Sequence, residues 1–135
     1  MIRQSEYIPE LDWEVTIYYD SERKHADEIL RTLEDVGCDD ETYFRAEESL
    51  LRGDRNSGLT YTNDKKRESV IVLSKTTTRE EFANTWFHEL IHCAIHIAMA
   101  TGLDLQGETM AYIGGDLAMA MHPVAARLMC PTCND

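Results

Sequence analysis

Large apolar and polar residues alternate along Trp13-Glu14-Val15-Thr16-Ile17-Tyr18-Tyr19, the period of a half-buried strand, and the run stops at Asp20-Ser21. The residues before it read as a polar opening. The period then changes: over residues 21–36, Ile29, Leu30, Leu33 and Val36 return at helical spacing with charged residues between them, and Gly37 is placed to end the helix. Asp39-Asp40-Glu41-Thr42 offers capping side chains to a second helix of about 11 residues, whose apolar side carries Tyr43, Phe44, Ala46, Leu50 and Leu51 and which Gly53 closes.

Loop chemistry at residues 53–58 precedes two β-rich runs, Leu59-Thr60-Tyr61-Thr62 and Ser69-Val70-Ile71-Val72-Leu73-Ser74, around a charged turn. They predict an antiparallel hairpin with the nearly all-apolar second strand inside and the first toward an edge. Thr77 with Glu80, and Thr78 with Glu81, each fit a capping box for the next helix, predicted over about residues 79–101 and stopped by Gly102. At 100° per residue Phe82, Trp86, Phe87, Leu90, Ile91, Ala94, Ile97 and Ala98 cover most of its circumference, which marks a central, buried helix. A narrow stripe remains, holding Glu81, Thr85, His88, Glu89, His92 and His96. Burying that stripe without partners is costly, so it is expected to line a cleft or bind a cation. A further helix is predicted over about residues 106–121, with Met110, Ile113, Leu117 and Met121 as its core face and Pro123 as its breaker. Glu108, Tyr112 and Gly115 share its other side, and Gly114 and Gly115 would let the two helices approach closely.

These elements predict one α+β domain over residues 1–135: a small antiparallel sheet packed on a buried histidine-bearing helix and a following helix, with a metal core over about residues 58–121. No internal repeat, low-complexity segment or second domain is evident. A hydrophobic fraction of 43% supports a real core. A net charge of −12 argues against a nucleic-acid backbone or an anionic membrane as partner, and no apolar run approaches the ~18 residues of a membrane span. Met1-Ile2-Arg3-Gln4-Ser5-Glu6 lacks the apolar region of a secretory signal, so a cytoplasmic location is expected. Cys38, Cys93, Cys130 and Cys133 are too scattered for a disulfide scaffold, and Cys130-Pro131-Thr132-Cys133 supplies at most half a zinc site. Cys93 reads as a small core residue.

The chemistry concentrates in His88-Glu89-Leu90-Ile91-His92. Residues four apart share a helix face, so His88 and His92 can reach one ion together, while Glu89 can face metal-bound water without being a ligand. Hydrolytic zinc wants a third protein ligand and one open position. Glu108 is the candidate, because an antiparallel helix pair returns it alongside the histidines and the first turn of a helix favours an ionised carboxylate. Asp104, Asp116 and His122 are its competitors. His96 lies eight residues beyond His88, a rise of about 12 Å, too far to share one ion on a straight helix.

The segment resembles the HExxH zinc metallopeptidases, in the gluzincin-like branch where a glutamate on the following helix completes the site. It is similar to small peptidase-like proteins of phages and mobile elements, which carry a hairpin, a metal helix and then a segment like Glu108-Thr109-Met110-Ala111-Tyr112. The resemblance covers about residues 58–121 and implies a minimal zincin-like fold, Zn2+ on His88, His92 and Glu108, and Glu89 as general base. One departure is that larger gluzincins place an aspartate where this chain has Tyr112. The expected activity is peptide-bond hydrolysis: zinc brings the pKa of bound water to about 7, Glu89 takes its proton and returns it to the leaving amine, and Tyr112 or His122 supplies a donor to the oxyanion. A protein or peptide substrate would pair with the edge strand at residues 59–62. The alternative is a non-catalytic module in which zinc staples two helices or the fold binds a protein partner of the mobile element's host.

Overall fold

A computed structural model of the chain describes residues 1–129. The elements run β1 (Ile2–Ile8), β2 (Trp13–Ser21), a 3-10 turn (Arg23–His25), α1 (Ala26–Val36), α2 (Asp40–Arg52), β3 (Gly58–Asn63), β4 (Glu68–Ser74), α3 (Arg79–Ala100) and α4 (Glu108–Met129). The α+β class expected from the sequence is the class observed. The strands form one sheet in the order β1-β2-β4-β3. The predicted hairpin is β3–β4, with Thr60 opposite Ile71, and β3 lies at the edge. The sheet is mixed, however, because β2 and β4 pair in parallel with Ile17 opposite Ile71. Both strands are buried almost throughout, and the inner positions of a sheet are where two-sided burial is available.

Pleating sends alternate residues of these strands into two cores. Trp13, Val15, Ile17, Tyr19, Ile71 and Leu73 meet α3 and α4 on one face. Tyr18, Val70 and Val72 meet α1 and α2 on the other. Strand β1, read above as a polar opening, pairs antiparallel with β2. Its half-buried row holds Gln4 and Glu6 between Ile2 and Ile8, so polar residues stand where a period-two reading needs apolar ones. Gln4 is used there: it accepts from the Tyr19 hydroxyl at 2.8 Å and donates to the Ala120 carbonyl at 2.7 Å.

Glycines stop α1 and α2 as expected, with Gly37 and Gly53 in the left-handed region at φ 84° and 72°. Phe44 and Leu51 are 60% and 48% exposed, not part of the packed side of α2. That helix buries Ala46 and Leu50, and Phe44 and Leu51 lie about 100° or more round it from those two. Of the two possible caps for α3, Thr78 is the one used, its hydroxyl accepting from the Glu81 amide at 3.0 Å, while Thr77 is tied to Asn56. Cys93 is fully buried, and burial pushes its thiol up to about 12, as suits an inert core residue. Cys130 and Cys133 lie outside the described residues. No helix among the described residues is long and apolar enough to cross a membrane.

Two expectations for α4 fail. Gly114 and Gly115 are not points of close helix approach, since a Cβ at either would meet nothing within 4 Å. Nor does Pro123 end the helix, which runs six residues further and buries Ala125 fully. Continued packing of Val124, Ala125 and Leu128 against the core outweighs the lost hydrogen bond. Proline inside a helix costs about 3 kcal/mol, offset by about 0.4–1 kcal/mol from its stiffening of the unfolded chain. Pro123 is exposed, so Pro123→Ala removes no core packing. The variant should therefore gain about 2 kcal/mol of stability, read as a higher urea midpoint at unchanged slope; a lower midpoint would show that proline at this position is itself required.

Candidate metal centre

Helix α3 lies against the sheet through Phe82, Leu90, Cys93, Ala94 and Ile97. It is less enveloped than its sequence predicts: Phe87 is 60% exposed and Trp86 half-buried. The polar stripe falls beside the edge strand β3, so its members differ in environment. His88 and His92 are exposed, His96 is half-buried and Glu89 is only 5% exposed.

The i, i+4 spacing stacks the two exposed imidazoles, and His88 Nε2 and His92 Nε2 come within 3.1 Å. Two nitrogens each about 2.0–2.1 Å from one tetrahedral ion stand about 3.3–3.4 Å apart, so the pair fits a single zinc-sized cation with little adjustment. One ligand atom from each of His88, Glu89 and His92 lies within 4.8 Å of the others. The Glu89 carboxylate strengthens the fit. The one hydroxyl hydrogen of Thr60 on β3 is shared between Glu89 Oε1 at 3.0 Å and the Glu89 backbone carbonyl at 3.2 Å, and no ion pair among the described residues involves Glu89. A nearly buried carboxylate held by one neutral donor is short of positive charge, and a cation bound by the adjacent imidazoles would supply it.

The fourth member of the stripe, His96, belongs to a different network. Its Nδ1 lies 2.9 Å from Thr62 Oγ1, which is 2.8 Å from Ser69 Oγ, which in turn accepts from the Trp13 indole at 3.0 Å. Burial, followed by the neighbouring His92, holds the His96 pKa below the usual imidazole value. His96 is therefore tied into the sheet, in line with its exclusion from a shared ion on grounds of distance.

Glu108 is exposed in the first turn of α4 and is not one of the side chains gathered around His88 and His92. Tyr112 is 66% exposed on the same side of that helix. Of the competitors, Asp116 and His122 are exposed on α4, and Asp104 caps its own loop by accepting from the Gln106 amide at 2.9 Å. None of the three joins the group.

Sequence reading missed Gly58 and Thr60. Both stand in an ordinary-looking strand, and only the packing of β3 against α3 shows their use. A Cβ on Gly58 would lie 2.6 Å from Glu89 Cγ and 2.9 Å from Oε2, so this position has room for the carboxylate only as glycine. Gly58→Ala should accordingly cost about 1–3 kcal/mol of stability, the range for overpacking. Because the obstruction is Glu89 itself, the same substitution in a Glu89→Ala background should cost close to nothing. Urea denaturation of the two single variants and the double variant checks this; additive costs would place the strain elsewhere.

Comparison of the chain with family models, with curated proteins and with solved structures finds no match.

Proposed function

We propose that this protein is a zinc-dependent peptidase of the HExxH type. The observation that carries the reading is the buried Glu89 carboxylate, fixed by Thr60 beside two imidazole nitrogens spaced for one ion. His88 and His92 would hold the metal, with Glu108 from the first turn of α4 as the proposed third ligand. Bound zinc would acidify a water and polarise the scissile carbonyl. Glu89 would take a proton from the attacking water on its carboxylate and deliver it to the nitrogen of the leaving amine. Thr60 leaves Oε2 free of its own hydrogen bond while holding Oε1, which orients the base. Tyr112 is the proposed donor to the developing oxyanion. Strand β3 pairs with β4 on one side only, and its other edge offers backbone groups to an extended peptide.

A second reading draws on the same cluster. One ligand atom from each of His88, Glu89 and His92 lies within 4.8 Å of the others, so Glu89 would serve as a ligand rather than a base in a non-catalytic ion site on α3.

The two readings diverge in one variant. About one zinc per chain is expected by metal analysis of protein purified without chelator, and it should be lost in His88→Ala and in His92→Ala. In the peptidase Glu89→Gln keeps its zinc while cleavage of a peptide library falls by about 10²–10⁴-fold; in the non-catalytic site with Glu89 as ligand the same variant loses zinc. Glu108→Ala should lose zinc and cleavage together. Full zinc retention by both histidine variants would remove the site altogether.

Stability provides a separate check. Metal bound to the folded state alone raises the melting temperature, so chelation should lower it in the wild type and leave it unchanged in His88→Ala. Equal responses in both proteins would mean that the chelator acts elsewhere.

A further inference from the structure

On the opposite face of the sheet from α3, a cavity of about 220 Å³ lies between α2 and the ends of β2 and β4. Ala46, Leu50, Leu59 and Val72 supply apolar wall, and Ser21 and Ser74, the last residues of the two parallel strands, stand at its border. Three arginines, Arg23, Arg45 and Arg52, reach it in a chain whose net charge is −12.

The pairing of charges at the cavity is uneven. Arg52 binds Glu48 and Asp54, each at 2.8 Å, and Glu22 is taken by Lys75 at 3.2 Å. Those pairs account for every acid lining the cavity. Arg23 and Arg45 are left exposed, with no side-chain hydrogen bond or ion pair to a described residue, although Arg45 is near enough to Asp39 to contribute to holding its carboxyl below the usual range. Two guanidinium groups without a hydrogen-bonded partner, lining a cavity with apolar wall, present the complement of a small amphiphile, since arginine's fork matches carboxylate and phosphate geometry. The volume is below the ~300–1,000 Å³ of pockets for drug-sized ligands, which limits the occupant to a short apolar body with one anionic head.

We propose that this cavity is a binding site for a small organic anion, its carboxylate or phosphate held by Arg23 and Arg45 and its apolar part against Leu50, Leu59 and Val72. The site is separate from the metal centre and does not rest on the peptidase reading. Strand β3 divides the two: Gly58 borders the cavity and also abuts Glu89, so its amide reports on both sides.

The test is a titration of the full chain, followed by methyl and amide NMR, with four probes: benzoate, phenyl phosphate, benzyl alcohol and inorganic phosphate. Benzoate or phenyl phosphate should give saturable shifts at Leu50, Leu59 and Val72, and the tighter of the two identifies the preferred head group. The neutral alcohol and the bare phosphate should bind at least about tenfold more weakly, each lacking half of the complement. Arg23→Gln combined with Arg45→Gln should weaken the preferred probe by at least about tenfold, and His88→Ala should leave its binding unchanged. Neither arginine makes a side-chain bond, so the double variant should keep the wild-type fold, which its spectrum verifies. Shifts that map elsewhere, no saturable binding by either organic anion, equal binding of benzyl alcohol or inorganic phosphate, or unchanged affinity in the double arginine variant would each overturn the proposal.

Discussion

Helix α3 has to bury Phe82, Leu90, Cys93, Ala94 and Ile97 and yet keep His88 and His92 in water. A helix laid over the middle of a sheet would satisfy the first demand and defeat the second. Beside the edge strand β3 it meets both, because the apolar side finds Ile17, Ile71 and Leu73 while the stripe a quarter-turn away reaches the end of the sheet. Glu89 sits at the boundary between these environments. It is the one carboxylate of the described residues that is buried, and it is buried against the strand that ends the sheet.

That placement makes β3 more than a border. Its alternating residues face two unlike surroundings: Thr60 meets Glu89 and Thr62 meets His96 on one side, while Leu59 joins the α1–α2 core on the other. The hydroxyls do the polar work that apolar side chains could not, and they explain why this half-buried strand reads as half-polar. Gly58 completes the arrangement through having no side chain. A short strand with two threonines and a glycine thus holds the buried acid in place.

Local pattern carried much of the fold. The stops at Gly37 and Gly53, a threonine cap for α3 and the β3–β4 hairpin follow from patterns local in the sequence, and these are legible, though not which threonine caps. Non-local facts are not. The parallel β2–β4 pairing joins segments separated by two helices and a strand, and nothing in either run distinguishes a parallel from an antiparallel neighbour. Strand β1 escaped because Gln4 is satisfied by Tyr19 and Ala120, partners remote in sequence. Pro123 misled because its local cost is offset by the tertiary packing of Ala125. The same division runs through the site: spacing alone places His88 and His92 on one face, but the choice of a third ligand depends on how α4 returns, and the structure leaves Glu108 outside the group.

The 3.1 Å between His88 Nε2 and His92 Nε2 constrains what can occupy the space between them. Two nitrogen lone pairs repel at that distance unless something positive lies between them. A shared proton on the neutral pair would suffice for the histidines, as one ring donates and the other accepts. It would add no net charge, however, and would leave the buried Glu89 carboxylate with only the Thr60 hydroxyl for compensation. A divalent cation, as proposed above, would take both lone pairs and offset the carboxylate as well. The proposed metal thus rests on Glu89 as well as on the histidine spacing, since one ion at this point would serve all three side chains.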